Sequence, residues 1–141
     1  MQENQGVAYE CMYTVVWCTK YRRKVLRSEI TNRLATILVS EAGNIHAEVL
    51  HLDITEDTVR MRIVVDPQYG INRAVRHLKG LSSRMLRNEY PELKSRIPCL
   101  WTGNYFVVTE ATAQNVDSLV DEFISQQERS QKKTRNNQEE T

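Results

Sequence analysis

Apolar and polar residues alternate most regularly in "DTVRMRIVV", at positions 57–65. The apolar positions of this stretch are Val59, Met61, Ile63 and Val65. A period of two predicts a β-strand that buries one face in a core and turns the other face away from it. The second face carries the polar residues Thr58, Arg60 and Arg62. This polar face has two interpretations, an ordinary solvated surface or a binding site.

Hydrophobic patterning along the rest of the chain predicts further strands and three helices. Residues rich in aromatic and β-branched side chains predict strands at 8–21, 45–55 and 105–111, in addition to 58–65. Apolar residues at helical spacing predict helices at 28–43, 71–88 and 112–127. The segment 88–104, which contains two prolines and a glycine, is predicted to be irregular.

Local signals mark some of the boundaries between these elements. Ser28 is the predicted N-cap of the first helix, and Gly43 is its predicted end. The short link Glu56–Asp57 predicts a hairpin between the strands on either side of it. The helix at 71–88 and the helix at 28–43 then each lie between two strands of the predicted sheet.

The resulting order is β-α-β-β-α-β-α. Without the last helix this is the split βαβ pattern of ferredoxin-like folds. We therefore predict an α+β, ferredoxin-like fold with a four-stranded antiparallel sheet, helices on one face, a free second face and a C-terminal helix. The predicted domain covers 8–127, between a disordered N-terminus at 1–7 and a disordered polar tail at 128–141.

Charge is distributed unevenly along a chain of 141 residues whose net charge is only +1. The segments 20–27 and 71–87 each hold five Lys or Arg residues and no acid, whereas 110–128 holds five acids and no Lys or Arg. Segregated basic segments can present a basic face to a nucleic acid. The candidate nucleic-acid-binding residues are Lys20, Arg22, Arg23, Lys24, Arg60, Arg62, Arg73, Arg76, Lys79 and Arg84. The alternative for each is an ordinary solvated charge.

Cysteine and histidine usage does not indicate a metal site. Cys11, Cys18 and Cys99 lack metal-ligand spacing and are expected to be reduced thiols of a cytoplasmic protein. His46 and His51 are expected to point to opposite faces of a strand, which disfavours a shared metal. The sequence shows no signal peptide and no apolar stretch of membrane-spanning length.

Four segments together resemble a known family. They are "YTVVWCTKYRRKVL" (13–26), "LKGLSSRML" (78–86), "LWTGNYFVVT" (100–109) and "VDEFISQQ" (120–127). In this order and spacing they resemble the single-tyrosine HUH transposases of small bacterial and archaeal insertion sequences. The resemblance runs from about residue 8 to residue 127 and implies the ferredoxin-like fold already predicted from the pattern of elements.

The resemblance also implies where the reactive groups of such an enzyme would lie. The family's counterpart of 57–65 reads D-H-V-H-L-L-V, and its two histidines bind Mg²⁺ or Mn²⁺. Those histidines correspond to Thr58 and Arg60, the tyrosine nucleophile corresponds to Phe123, and Gln127 is the one retained metal ligand. Arginine cannot lose its proton and phenylalanine has no hydroxyl. We therefore expect no metal cofactor and no intact catalytic residue.

The sequence favours a DNA-binding, transposase-like protein that has lost cleavage and strand transfer. The resemblance implies that it recognises hairpins in single-stranded DNA at insertion-sequence ends, and that it is a homodimer. The lack of a long apolar stretch predicts no membrane association. Arg60 and Arg62 are then expected to contact phosphates. Three alternatives stay open: an active transposase with other ligands or another nucleophile, an RNA-binding module, and a protein-interaction remnant.

Aromatic residues allow a further contact with nucleic acid. An exposed aromatic ring could stack on an unpaired base, and Trp17, Trp101 and Tyr105 are the candidates. For Trp17 we expect a core position instead. Ser125 and the tyrosines are conceivable replacement nucleophiles, but no pattern in the sequence supports one of them.

Overall fold

The computed structural model describes residues 2–4, 7–9, 11–96, 99–109, 117–118 and 120–127. Its strands are β1 (Gln2–Asn4), β2 (Val7–Tyr9), β3 (Met12–Cys18), β4 (Ala47–Ile54), β5 (Thr58–Val65) and β6 (Phe106–Thr109). Its helices are α1 (Ser28–Asn44), α2 (Ile71–Glu89), α3 (Glu92–Arg96) and a C-terminal helix, α4 (120–127). Strands β3 to β6 form one antiparallel sheet in the order β4-β5-β3-β6. This order confirms the predicted ferredoxin-like fold.

Burial on one face of the sheet follows the alternation in β5. Val59, Met61 and Ile63 have no exposed surface and pack in a core with residues of α1 and α2. Each of these side chains contributes about 1.5–3 kcal/mol to folding through the apolar surface that it removes from water. The predicted strand, its buried face and the β4–β5 hairpin are therefore confirmed.

Two tryptophans close the core at the end of β3. Trp17 is fully buried, and Trp101 is nearly so. Their rings meet edge to face with centroids 5.9 Å apart, and the indole N–H of Trp101 donates to the hydroxyl of Ser82 at 3.2 Å. The expected core position of Trp17 is confirmed, and the burial of Trp101 excludes base stacking on its ring.

Several predicted boundaries differ from the structure. Ser28 is the first residue of α1, and the N-cap is Arg27, whose side chain makes no capping hydrogen bond. Gly43 lies inside the last turn of α1, which continues to Asn44. The segment predicted to be irregular contains the short helix α3, in which the side chain of Leu93 is buried. Several residue types can serve as caps and helix ends fray, so cap signals in a sequence place a helix end only to within about one or two residues.

The described N-terminal residues form a short ladder. The backbone of β1 pairs with that of β2 in a two-stranded antiparallel arrangement. The disorder predicted for 1–7 stays a prediction. The predicted polar tail at 128–141 lies outside the described residues. The domain limits 8–127 therefore stay a prediction. None of the helices in the described ranges combines the length and the apolar character that crossing a membrane requires.

The second face of the sheet is not free, which corrects the expectation from the strand pattern. Helix α4 lies against it through Val120, which is 3% exposed and packs with Val16 of β3. Phe106, Phe123 and Ile124 are partly buried around this pair. The apolar stripe of the C-terminal helix needs a partner surface, and this face of its own sheet provides one.

Candidate nucleic-acid site

The face of β5 that α4 approaches forms the centre of the candidate site. Thr58, Arg60 and Arg62 project from this face, because the face opposite holds the apolar set. Their ladder partners on β3 are, in the same order, Cys18, Val16 and Thr14. On β4, Asp53 is the partner of Arg60 and His51 is the partner of Arg62. The site is thus a polar sheet surface next to a small apolar contact with α4.

A buried carboxylate, Asp57, holds the polar groups at the start of β5. Its Oδ1 accepts hydrogen bonds from the hydroxyls of Thr58 at 2.9 Å and Thr55 at 3.2 Å. Its Oδ2 lies 3.1 Å from Nη2 of Arg22, in an ion pair largely shielded from solvent. The Thr58 hydroxyl is therefore a donor to a neighbouring carboxylate, and the Arg22 guanidinium is held against the protein.

The thiol of Cys18 lies beside Thr58, with Sγ 3.8 Å from Oγ1. Burial is the main cause that raises the pKa of Cys18 above the usual thiol value. A raised pKa keeps the sulfur protonated near neutral pH, and it is the thiolate that binds metals.

Arg60, in the middle of the site, forms an ion pair with the start of the C-terminal helical segment. Its Nη2 donates to Oδ1 of Asp117 at 2.6 Å. The Arg60 side chain is 35% exposed and the Asp117 side chain is 85% exposed. An ion pair with this much solvent contact is weak and readily exchanged for another anion.

Phe123, which corresponds to the family's nucleophile, is a packing residue. Its ring centroid lies 5.5 Å from that of Phe106, with the two rings tilted by 32°. The ring is partly buried in the apolar contact between α4 and the sheet. Gln127, one turn further along α4, is partly exposed. Position 123 thus contributes apolar contact area and no nucleophilic atom.

An open cleft of about 220 Å³ lies beside these groups. Arg22, the ends of β4 and β5 at the hairpin, and Val120, Asp121 and Ile124 of α4 line it. Within the described part of the chain, no group of three or more His, Cys, Asp or Glu residues could hold a metal ion. Since the Thr58 hydroxyl donates its hydrogen bond to Asp57 and Arg60 is a permanent cation, Thr58 and Arg60 do not fit Mg²⁺ or Mn²⁺.

The first basic segment, 20–27, passes beside the site and contains a strained turn. Tyr21 and Arg22 have φ values of 57° and 50°, in the left-handed region that non-glycine residues rarely adopt. Such a conformation costs about 1–3 kcal/mol per residue and persists where the surroundings fix it. The ion pair of Arg22 with Asp57 is one contact that does so. Arg23 and Lys24, the next two residues, are exposed.

The second basic segment lies on the other side of the sheet. Helix α2 packs with α1 on the Val59 face, so Arg73, Arg76 and Arg84 are exposed on the surface opposite Arg60. The guanidinium of Arg73 lies 4.2 Å from the ring centroid of Tyr69. The structure therefore does not bring the two basic segments and the β5 arginines onto one surface. Nucleic-acid contacts by any of these residues stay a prediction.

Lys79 holds a loop instead of projecting into solvent. Its ammonium donates to the carbonyl oxygens of Thr102 at 2.7 Å and Asn104 at 3.0 Å. It lies 5.9 Å from the ring centroid of Tyr105, whose hydroxyl donates to Asn72. Burial lowers the pKa of Lys79 to about 8. Both residues have a structural explanation that the sequence pattern did not indicate.

A family model described as "Transposase IS200 like" matches residues 7–127. The chain belongs to the IS200-like transposase family. It is 31% identical over 129 residues to the ISDra2 transposase TnpA of Deinococcus radiodurans, covering 90% of this chain and 91% of that protein.

Further IS200-like relatives agree with this assignment. The transposase for insertion sequence element IS200 of Salmonella typhimurium is 26% identical over 103 residues, covering 72% of this chain and 68% of that protein. The crystal structure of a candidate transposase from Deinococcus radiodurans is similar with a TM-score of 0.81 and 30% identity, covering 90% of this chain and 98% of the other. The family resemblance stated from the sequence is therefore confirmed.

In this IS200-like chain His46 and His51 do not lie in one strand, although the sequence pattern predicted that they would. His46 precedes β4 and has a φ of 57°, which places it in the turn after α1. His51 lies in β4 just after an irregularity in the register between Val49 and His51. Their relation to each other therefore differs from the one that strand alternation predicted, and the structure does not bring them together as metal ligands.

Two carboxylates of the site were missed by sequence reasoning. Asp57 was assigned only to the hairpin link, and Asp117 only to an acidic segment. The available signal was complementary charge, since an acidic segment follows basic ones in a nearly neutral chain. That signal predicts contact between the segments but does not identify the residues that pair.

Proposed function

We propose that this IS200-like protein binds DNA hairpins with single-stranded flanks at insertion-sequence ends and neither cuts nor joins DNA. One observation carries the proposal: the positions of all three mapped reactive groups hold residues committed to other contacts. Thr58 donates to a carboxylate, Arg60 pairs with a carboxylate, and Phe123 packs on Phe106. Gln127 alone cannot supply a metal site or a nucleophile.

Loss of chemistry follows from the properties of these side chains. A single-tyrosine mechanism needs a hydroxyl to attack phosphorus and a cation to polarise the phosphate. Phe123 has no oxygen, and the charge of Arg60 opposes a metal in its own position. A guanidinium can still bind phosphate oxygens directly through two parallel hydrogen bonds. DNA binding can therefore persist without cleavage.

The test of DNA binding compares two arginine variants that remove equal charge from opposite sides of the sheet. Arg60→Ala removes the central residue of the site. Arg33→Ala is the matched control, because Arg33 is 36% exposed and also forms an ion pair, with Glu89 on the helix side. Binding of a labelled DNA hairpin with a single-stranded tail is measured by fluorescence anisotropy over a range of salt concentrations.

We expect Arg60→Ala to weaken binding and to lower the salt slope of log K by about one, since one phosphate contact releases roughly one counterion. Arg33→Ala should leave the slope unchanged. Equal slopes for the wild type and Arg60→Ala would show that the polar face of β5 is a solvated surface. An RNA hairpin of the same sequence tests the RNA-binding alternative, because tighter binding of RNA would favour it.

The absence of chemistry is tested with the same hairpin. The protein is incubated with labelled DNA and Mg²⁺ or Mn²⁺, and covalent adducts are separated on a denaturing gel. The proposal expects neither an adduct nor a nicked strand. A metal-dependent product would instead establish an active transposase with other catalytic groups. A Mn²⁺ titration by calorimetry provides a separate check, in which tight binding lost in Gln127→Ala would contradict the expectation that no cofactor binds.

We also propose a homodimer and retain the predicted cytoplasmic location. In the four-stranded sheet β4 and β6 are the edge strands, and an unpaired edge can add a strand from a second copy. Packing of α4 on its own sheet leaves such pairing possible. Light scattering at micromolar concentration should give the mass of two chains, and a monomer mass would refute the dimer.

A further inference from the structure

We propose that Asp117 occupies the phosphate-binding position of Arg60 and so holds the protein in a self-inhibited state. This inference rests on the proposed DNA-binding function and concerns the regulation of the same site. A carboxylate and a phosphate present similar oxygen acceptors to a guanidinium. The Asp117 Oδ1 lies 2.6 Å from Nη2 of Arg60. A DNA phosphate that binds this nitrogen must replace the carboxylate.

Because of the position of α4, more than one acidic side chain opposes the binding of a DNA phosphate at Arg60. Val120 and Ile124 of α4 line the cleft beside Arg60, and so does Asp121. Asp117 and Asp121 are one helical turn apart and bring two negative charges to the face that would meet the DNA backbone. Like charges repel phosphates as well as competing with them. DNA binding at Arg60 therefore requires the Asp117 carboxylate to leave the guanidinium.

The exposure of the pair makes the contact reversible. Asp117 is 85% exposed and Arg60 is 35% exposed, so water and salt weaken their attraction. The apolar contact that holds α4 has two fully or nearly fully buried members, Val16 and Val120. An anion with several charges, such as DNA, can therefore displace Asp117 without disrupting the core on the other face of the sheet. The ion pair between Arg60 and Asp117 is therefore a weak and reversible block of the site.

The test is a double-mutant cycle on binding of the labelled DNA hairpin at low salt. Asp117→Asn removes the competing charge and keeps the size of the side chain. Glu122→Gln is the matched control, because Glu122 is an exposed acid of the same helix whose Oε1 accepts a hydrogen bond from Gln126 at 3.3 Å. Both variants change the net charge by one. Phosphate contacts do not depend on base sequence, so a generic hairpin suffices.

We expect Asp117→Asn to tighten binding by about two- to five-fold, the range given by an exposed ion pair. Glu122→Gln should change affinity by less than half as much, and Asp117→Asn should give no gain when Arg60→Ala is already present. Equal effects of the two acid variants, or a gain that persists without Arg60, would overturn the inference. If neither the wild type nor Asp117→Asn binds the hairpin, the proposed function fails as well.

Discussion

The two faces of the sheet differ in what determines their residues. On the face covered by α1 and α2, Val59, Met61 and Ile63 are completely buried in an extended apolar core. On the face covered by α4, the buried apolar cluster of the described chain consists of Val16 and Val120, and β5 contributes Thr58, Arg60 and Arg62. One face depends on burial of apolar surface, and the other depends on polar contacts that are partly open to solvent.

This difference explains how a fold can persist while the residues on one of its faces change. A core position tolerates few side chains, because cavities and overpacking both destabilise the protein. A polar position near solvent tolerates substitution whenever the new side chain finds a partner, as Arg60 does in Asp117. The same strand can therefore keep its buried residues while the residues between them change.

The largest expected effect is the difference in stability between side-chain truncations on the two faces of the sheet. Met61→Ala removes a fully buried side chain and is expected to destabilise the protein by about 2–5 kcal/mol. Val120→Ala removes two methyl groups under α4 and is expected to cost about 1–2 kcal/mol. Urea unfolding followed by circular dichroism measures both values. Equal losses of stability in the two variants would show that the two faces contribute comparably to folding, contrary to the difference described above.

Removal of the buried carboxylate of Asp57 should have the next largest effect on stability. Asp57→Ala breaks the ion pair with Arg22 and the hydrogen bonds from Thr55 and Thr58, so we expect a loss of about 1–3 kcal/mol. Asp53→Ala, at an exposed position of β4, is the control and should change stability by less than about 0.5 kcal/mol. If thermal unfolding shows no difference between the two variants, the Asp57 contacts do not stabilise the polar face.

The smallest expected effect concerns Lys79, at the margin of the helix-covered face. Its pKa is about 8 in the folded protein and 10.5 as the ordinary value, so the unfolded chain binds more protons between these pH values. Its contribution to stability is therefore complete above pH 10.5 and is lost as the pH falls through 8. We expect a difference of about 1 kcal/mol or less, because the side chain keeps some solvent contact.

This effect can be isolated by comparison with Lys79→Met. The free energy of unfolding of the wild type relative to Lys79→Met should rise between pH 8 and pH 10.5. The comparison is needed because the raised pKa of Cys18 has the opposite sign and lowers stability as the pH rises above 9. A relative stability that falls over the same interval would contradict the burial of the Lys79 ammonium.

Sequence patterns predicted the helix-covered face well, because burial imposes a regular period on strands and helices. The alternation in β5, the stripes of α1 and α2 and the order of elements led to the ferredoxin-like sheet. Helix ends were less predictable, as Ser28 and Gly43 show, because several residue types can serve as caps and the last turn of a helix frays.

The candidate site was predicted only in part. The family resemblance placed Thr58, Arg60 and Phe123 at one surface, and the structure brings them to the face that α4 covers. The partners of these residues were not predictable, since the pair Arg60–Asp117 joins residues 57 positions apart with no periodic signal. The hydrogen bonds of Lys79 were not predicted for a similar reason. Their acceptors are backbone carbonyl oxygens, which every residue provides.

The edge-to-face pair of Trp17 and Trp101 has a practical consequence for spectroscopy. The chain contains two tryptophans, and both lie in the core on the α1/α2 side of the sheet. Their fluorescence therefore reports whether that core is intact and is insensitive to a ligand that docks beside Arg60. A titration followed by intrinsic emission would record little change even at saturation, whereas a chromophore on the DNA would detect the complex. Folding and ligand occupancy can consequently be followed in one sample through two independent optical signals.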